Sequence, residues 1–170
     1  APVYFLDGFV WCFRSIEVNS THSYTQVLKV DSETIEVLAK YNLTNVNYVV
    51  GPNILNVSDS LWFSADYKNE YGDLVRKLVK FSITCGEVFS VADLDFPAGL
   101  EYKDGIVYVA ELKEEPYSRE TIVLVDEETG QVVGRIVLPH ITQKAETGVC
   151  SLKFDSYGNL WWIDRYGEAT

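Results

Sequence analysis

The chain has 170 residues and a mass of 19.3 kDa, 47% apolar and 14% aromatic: enough for one sizeable core, and too apolar for intrinsic disorder. Lys and Arg number 14 against 25 Asp and Glu, so the net charge of −11 repels phosphate backbones and argues against a nucleic-acid partner. No apolar run approaches the length of a membrane span, and a chain that begins at Ala1 without any Met is expected to be a processed or excised piece.

No long 3.6-residue stripe with caps at both ends announces a helix. Short apolar runs punctuated by turn residues argue an all-β chain. In chain order, four segments align without gaps. They are Gly8-Phe9-Val10-Trp11-Cys12-Phe13-Arg14, Ser60-Leu61-Trp62-Phe63-Ser64-Ala65-Asp66, Gly105-Ile106-Val107-Tyr108-Val109-Ala110-Glu111 and Gly158-Asn159-Leu160-Trp161-Trp162-Ile163-Asp164. Their starts are 52, 45 and 53 residues apart. Each follows a turn signal with Asp, namely Asp7-Gly8, Asp59-Ser60, Asp104-Gly105 and Asp155 to Gly158. Asp and Gly suit these places because they accept hairpin-turn geometry.

A second turn recurs downstream in Val30-Asp31 to Thr34, Phe81-Ser82 to Cys85 and Val125-Asp126 to Thr129. Each unit therefore holds four strands: an inner one, the aromatic one, and the pair around the second turn. Antiparallel units of this length are expected to be β-propeller blades. Expected bounds are 3–41, 53–94 and 98–138 for three blades and 148–166 for a half blade, about three and a half in all, the last incomplete. The column Trp11, Phe63, Tyr108 and Trp161 is expected to fill the space between blades.

The run Phe154-Asp-Ser-Tyr-Gly-Asn-Leu-Trp-Trp-Ile-Asp164 resembles blades of the streptogramin lyase, gluconolactonase and NHL-repeat propellers. Gly99 to Glu111, followed by Leu124-Val-Asp126 and Thr129-Gly130, looks like the same superfamily and its YVTN-type relatives. The resemblance implies a propeller fold; its members include lyases, lactonases, sugar dehydrogenases and binding scaffolds, so it implies no single activity.

Candidate sites are few. Asp66, Glu111 and Asp164 occupy one aligned position, where Arg14 replaces the acid in the first unit. Acids at a strand end accept backbone hydrogen bonds; the alternative is that they converge on calcium or magnesium, which prefer carboxylate oxygen. The family's catalytic His and Glu have their nearest candidates in His140 and Glu146, but neither matches the motif, and His22 sits in a Ser/Thr-rich stretch. There is no G-x-S-x-G elbow. Cys12, Cys85 and Cys150 allow one disulfide and a thiol, or three thiols. Asn19, Asn42 and Asn56 begin N-x-[ST] sequons, which point to N-linked glycans and an extracellular or cell-surface location; Asn19 and Asn42 fall in polar, loop-like stretches.

The expected role is a secreted structural or binding module. Leu160, Trp161, Trp162 and Ile163 would form an apolar, unpaired edge that meets another copy head-to-tail, giving a homo-oligomer or filament. The alternative is a fragment or subunit of a metal-dependent propeller lyase or lactonase.

Overall fold

The computed structural model describes residues 1–20, 22–92, 94, 97–111, 121–138 and 149–164, with no helix among them. Blade I comprises β1 (Val3–Leu6), β2 (Phe9–Asn19), β3 (His22–Asp31) and β4 (Val37–Leu43). Blade II comprises β5 (Val46–Val57), β6 (Ser60–Lys68), β7 (Leu74–Ser82) and β8 (Val88–Ala92). Blade III comprises β9 (Pro97–Lys103), β10 (Ile106–Glu111), β11 (Thr121–Asp126) and β12 (Val132–Val137), and the hairpin β13 (Val149–Phe154) and β14 (Leu160–Asp164) starts blade IV. Strands lie in chain order within each sheet, and every neighbour is antiparallel. Blade II begins at Val46 rather than at residue 53, because β5 runs through a register irregularity between Val49 and Ile54.

The turns explain why the repeat takes this form. Asp7 and Gly8 (φ 50° and 80°), like Asp104 and Gly105 (φ 51° and 82°), are both left-handed, as a two-residue hairpin of matching twist requires. At the second turn, the Asp31 carboxylate accepts the Thr34 amide at 2.8 Å and the Asp126 carboxylate accepts that of Thr129 at 2.7 Å. These bonds to the ionised form lower both carboxyl pKa values, with the Thr34 and Thr129 amides the leading causes. In blade II the Ser82 hydroxyl takes that place and accepts the Cys85 amide. The two turns are then tied together at the same end of each blade: Ser32 N–H to Gly8 C=O, Ile83 N–H to Asp59 C=O, and Glu127 N–H to Gly105 C=O.

This recurring link sets the true equivalence of the blades and corrects the sequence alignment. Phe9 stands opposite Asp31, Ser60 opposite Ser82 and Ile106 opposite Asp126. The blade II turn is Ser58-Asp59, with Val57 opposite Ser60, so blade II was aligned one residue out of step. A one-residue slip exchanges the two faces of a strand. Trp62, not Phe63, therefore shares its position with Trp11 and Tyr108.

Each sheet has a front facing the next blade and a back facing the previous one. The front of blade I (Trp11, Phe13, Val27) packs on the back of blade II (Leu61, Phe63, Ala65, Val79, Phe81), with Phe13 and Phe63 edge to face at 5.0 Å. Phe63 does lie between blades, but it comes from the opposite side to Trp11. The front of blade II (Trp62, Leu78) packs on the back of blade III (Val107, Val109, Val123, Val125). The front of blade III (Tyr108, Ala110, Ile122) packs on Leu152, Leu160 and Trp162, and Tyr108 meets Phe154 edge to face at 5.0 Å. Full burial of each such side chain contributes roughly 1.5–3 kcal/mol, so these stacked faces carry most of the stability.

Candidate functional site

The surfaces that stand out are the two flanks of the array. Among the described residues, no strand covers the back of blade I. Its central positions are Val10, Cys12, Leu28 and Val30, equivalent by register to Leu61, Phe63, Val79 and Phe81 in blade II and to Val107, Val109, Val123 and Val125 in blade III. All eight counterparts are 0% exposed, whereas the four in blade I are partly exposed, and Phe5 beside them is 65% exposed. Cys12 is a free thiol on this face, and Cys85 is another, exposed in the second turn of blade II.

At the other flank, Leu160 and Trp162 turn back into the core against blade III. Strand alternation sends Trp161 to the opposite, front face, where it is 46% exposed. Its ring is held there, because the Trp161 indole N–H donates to Asp155 Oδ2 at 2.9 Å. That bond and the Asn159 side-chain amide hold the Asp155 carboxyl at a pKa of about 2. Of the four expected edge residues, then, two are packed in the core and Trp161 is presented outward; the Ile163 side chain lies outside the described residues.

Asp66 and Glu111 each have a basic partner of their own. Asp66 stands directly opposite Arg76 and pairs with it at 3.0 Å. Glu111 is buried, with Thr121 opposite, and its carboxylate lies 3.6 Å from Arg135. The corrected register matches Glu111 with Arg14 and Ala65, leaving Asp66 one step away. Among the described residues, no group of three His, Cys, Asp or Glu side chains is placed to hold a metal ion. The Asp164 side chain, His140, Glu146 and Cys150's side chain fall outside the described residues, so the His140–Glu146 pair has no geometry here.

The sequons differ from one another. Asn42, expected in a loop, lies within β4, and Asn19 ends β2; both are exposed. Asn56 is in β5, where its side-chain amide donates to the Ser58 and Ser60 carbonyls at 3.1 Å each and so braces the hairpin turn.

A feature the sequence reading passed over is a lysine column. Lys29 stands opposite Trp11 and Lys80 opposite Trp62. Lys80 is buried, with Nζ 5.3 Å over the Trp62 ring, 3.9 Å from the Glu127 carboxylate and bonded to the Glu127 carbonyl. The signal was available: each lysine lies two residues before the aligned second-turn position, Asp31 or Ser82.

No protein-family model matches this sequence, and no curated protein matches it either. Solved structures do. The quinohemoprotein alcohol dehydrogenase ADHIIG of Pseudomonas putida HK5 superimposes with a TM-score of 0.62 at 12% identity, covering 95% of this chain. The quinohemoprotein alcohol dehydrogenase of Comamonas testosteroni gives 0.61 at 13% identity and 96% coverage. The chain has a β-propeller-type fold. At such identity the likeness extends to fold alone, and the chain spans 28% of each dehydrogenase's length. The likeness bears on the propeller repeat and not on the lyase, lactonase, NHL or YVTN-type superfamily.

Proposed function

We propose that the chain is an extracellular structural or binding module that associates head-to-tail through its blade flanks, the front of blade IV on one copy meeting the back of blade I on another. The observation that carries this reading is the contrast at one set of positions: Val10, Cys12, Leu28 and Val30 are partly exposed, while their counterparts in blades II and III are sealed by the front of a preceding blade. A face built of these residues matches a blade front carrying an aromatic ring, and Trp161 supplies such a ring. Burying the two flanks together would satisfy both by the packing that already joins I to II, II to III and III to IV.

The test is the mass in solution of the 170-residue chain, by light scattering and sedimentation, beside Trp161→Glu and Leu28→Glu. The expected result is an oligomer that each substitution alone dissociates, since each places a charge at one half of the same contact. A monodisperse wild-type monomer, or an oligomer indifferent to both substitutions, sinks the proposal. The compartment rests on the exposed sequons at Asn19 and Asn42. N-linked sugar on at least one of them is expected in peptide maps of native material, and two bare asparagines would remove the argument.

A further inference from the structure

We infer that the cleft between blades I and II is a binding site for a small organic monocarboxylate with an apolar or aromatic body. The internal repeat supplies the control. Between blades II and III the column lysine is satisfied: Lys80 reaches Glu127, the residue just after the second-turn aspartate of blade III. Between blades I and II the same lysine recurs as Lys29, but the residue in the place of Glu127 is Ile83, just after Ser82. The equivalence of Ile83 and Glu127 does not depend on sequence alignment alone, because each donates its amide to the first turn of its own blade. Lys29 thus keeps the cation and has lost the anion.

What surrounds it is a cleft of about 420 Å³ lined by Leu6, Asp7, Phe9, Trp11, Lys29, Tyr41, Ile83 and Thr84. Lys29 Nζ lies 4.0 Å from the Phe9 ring centroid and 5.7 Å from that of Trp11, and Trp11 stacks on Tyr41 with centroids 6.3 Å apart. Among the described residues Lys29 has no carboxylate partner. A half-buried ammonium among rings favours an anion strongly, because little water competes for it. The rings offer an apolar wall for the rest of the ligand. Asp7 also lines the cleft without pairing with Lys29, and its like charge opposes a dianion such as a phosphate monoester more than a monocarboxylate. The site lies on neither flank, and it stands whether or not the chain assembles.

The experiment is titration of the full chain with phenylacetate, followed by calorimetry and by NMR shifts of Phe9, Trp11 and Lys29, with phenethyl alcohol and phenyl phosphate as matched probes. Saturable binding of phenylacetate is expected, with a dissociation constant on the order of 1 mM, and at least tenfold weaker binding of the other two. Lys29→Met keeps the apolar stem and removes the charge. Ile83→Glu restores the internal partner that Lys80 has. Both are expected to weaken phenylacetate at least tenfold, and Ile83→Glu does so without touching Lys29. Equal affinity for the neutral alcohol, unchanged binding by Lys29→Met, or no saturable binding up to about 10 mM each overturns the inference. Should Ile83→Glu fail to fold, the Lys29→Met and alcohol arms still decide it.

Discussion

The back of blade I and the back of blade II are the same surface in two environments. Leu61, Phe63, Val79 and Phe81 are sealed under Trp11 and Phe13. Val10, Cys12, Leu28 and Val30 hold the matching positions with no described strand over them. Apolar character is thus a property of the repeat and not a response to local burial. Strands covered on both faces read as unbroken apolar runs, and blade I is written in the same way as the covered blades. The comparison teaches that its open back has the apolar make-up of a covered sheet, which is the feature the proposed association would use.

The sharpest way to break the comparison is to empty matched positions. Phe81→Ala removes a fully buried ring that sits 6.2 Å from Trp11 and 5.8 Å from Tyr41, and should cost about 3–5 kcal/mol in chemical denaturation. Its counterpart Val30→Ala, measured on dissociated chains, should cost well under that, about 1 kcal/mol or less. If Val30→Ala proves as costly as Phe81→Ala in the monomer, the back of blade I is not an open face.

How much of this was legible in the sequence follows from which signals are local. Hairpin turns are local: Asp7-Gly8 and Asp104-Gly105 specify left-handed backbone by composition alone, so strand order and blade count could be read directly. Blade II lacks that dipeptide, and Ser58, not Asp59, takes the positive φ of 52°. With no glycine to anchor it, the alignment slid by one residue. That slip placed Phe63 in the Trp11 column and aligned Asp66 with Glu111 as though they shared a role. Trp161 escaped a parallel error because the five-residue turn 155–159 restores its side to the front. Ion pairs such as Asp66–Arg76 and Glu111–Arg135 depend on the register between strands within a blade, which aligning one blade with another does not supply.

A smaller effect is expected where blade III meets blade IV. At Gly99 an added Cβ would come within 3.0 Å of Ser151 Cα and 3.1 Å of Leu152 N, both backbone atoms that cannot turn aside. Gly99→Ala should therefore cost about 1–3 kcal/mol, as overpacking does. Its mark should be local: faster hydrogen exchange in β13 and β14, with blades I and II unchanged. Uniform protection loss across the chain would mean the four blades melt as one unit, and the flanks could not be treated separately.

The smallest effect concerns how Trp161 is held at the front of blade IV. Asp155 accepts the Trp161 indole N–H at 2.9 Å, the Asn159 side-chain amide at 2.9 Å and backbone amides of Tyr157 and Asn159. These bonds favour the carboxylate and lower its pKa from 3.8 to about 2, the indole being the largest cause. Because the folded value is depressed, the turn's contribution is complete above pH 3.8 and fades as the pH falls toward about 2. Asp155 lies in a surface turn and is only partly buried, so the effect on global stability should be slight, while the local signature should be clear. In wild-type protein the Asp155 carboxyl ¹³C shift should titrate near pH 2, with the Trp161 indole N–H moving over the same range. Trp161→Phe removes the donor, and the titration should then climb toward 3.8. Asp155→Asn should leave the indole shift flat across that range. A wild-type midpoint already at 3.8 would mean that the ring is not held at the front face. Trp161 would then meet a neighbouring blade only after paying to order its own side chain, and association through it would weaken accordingly.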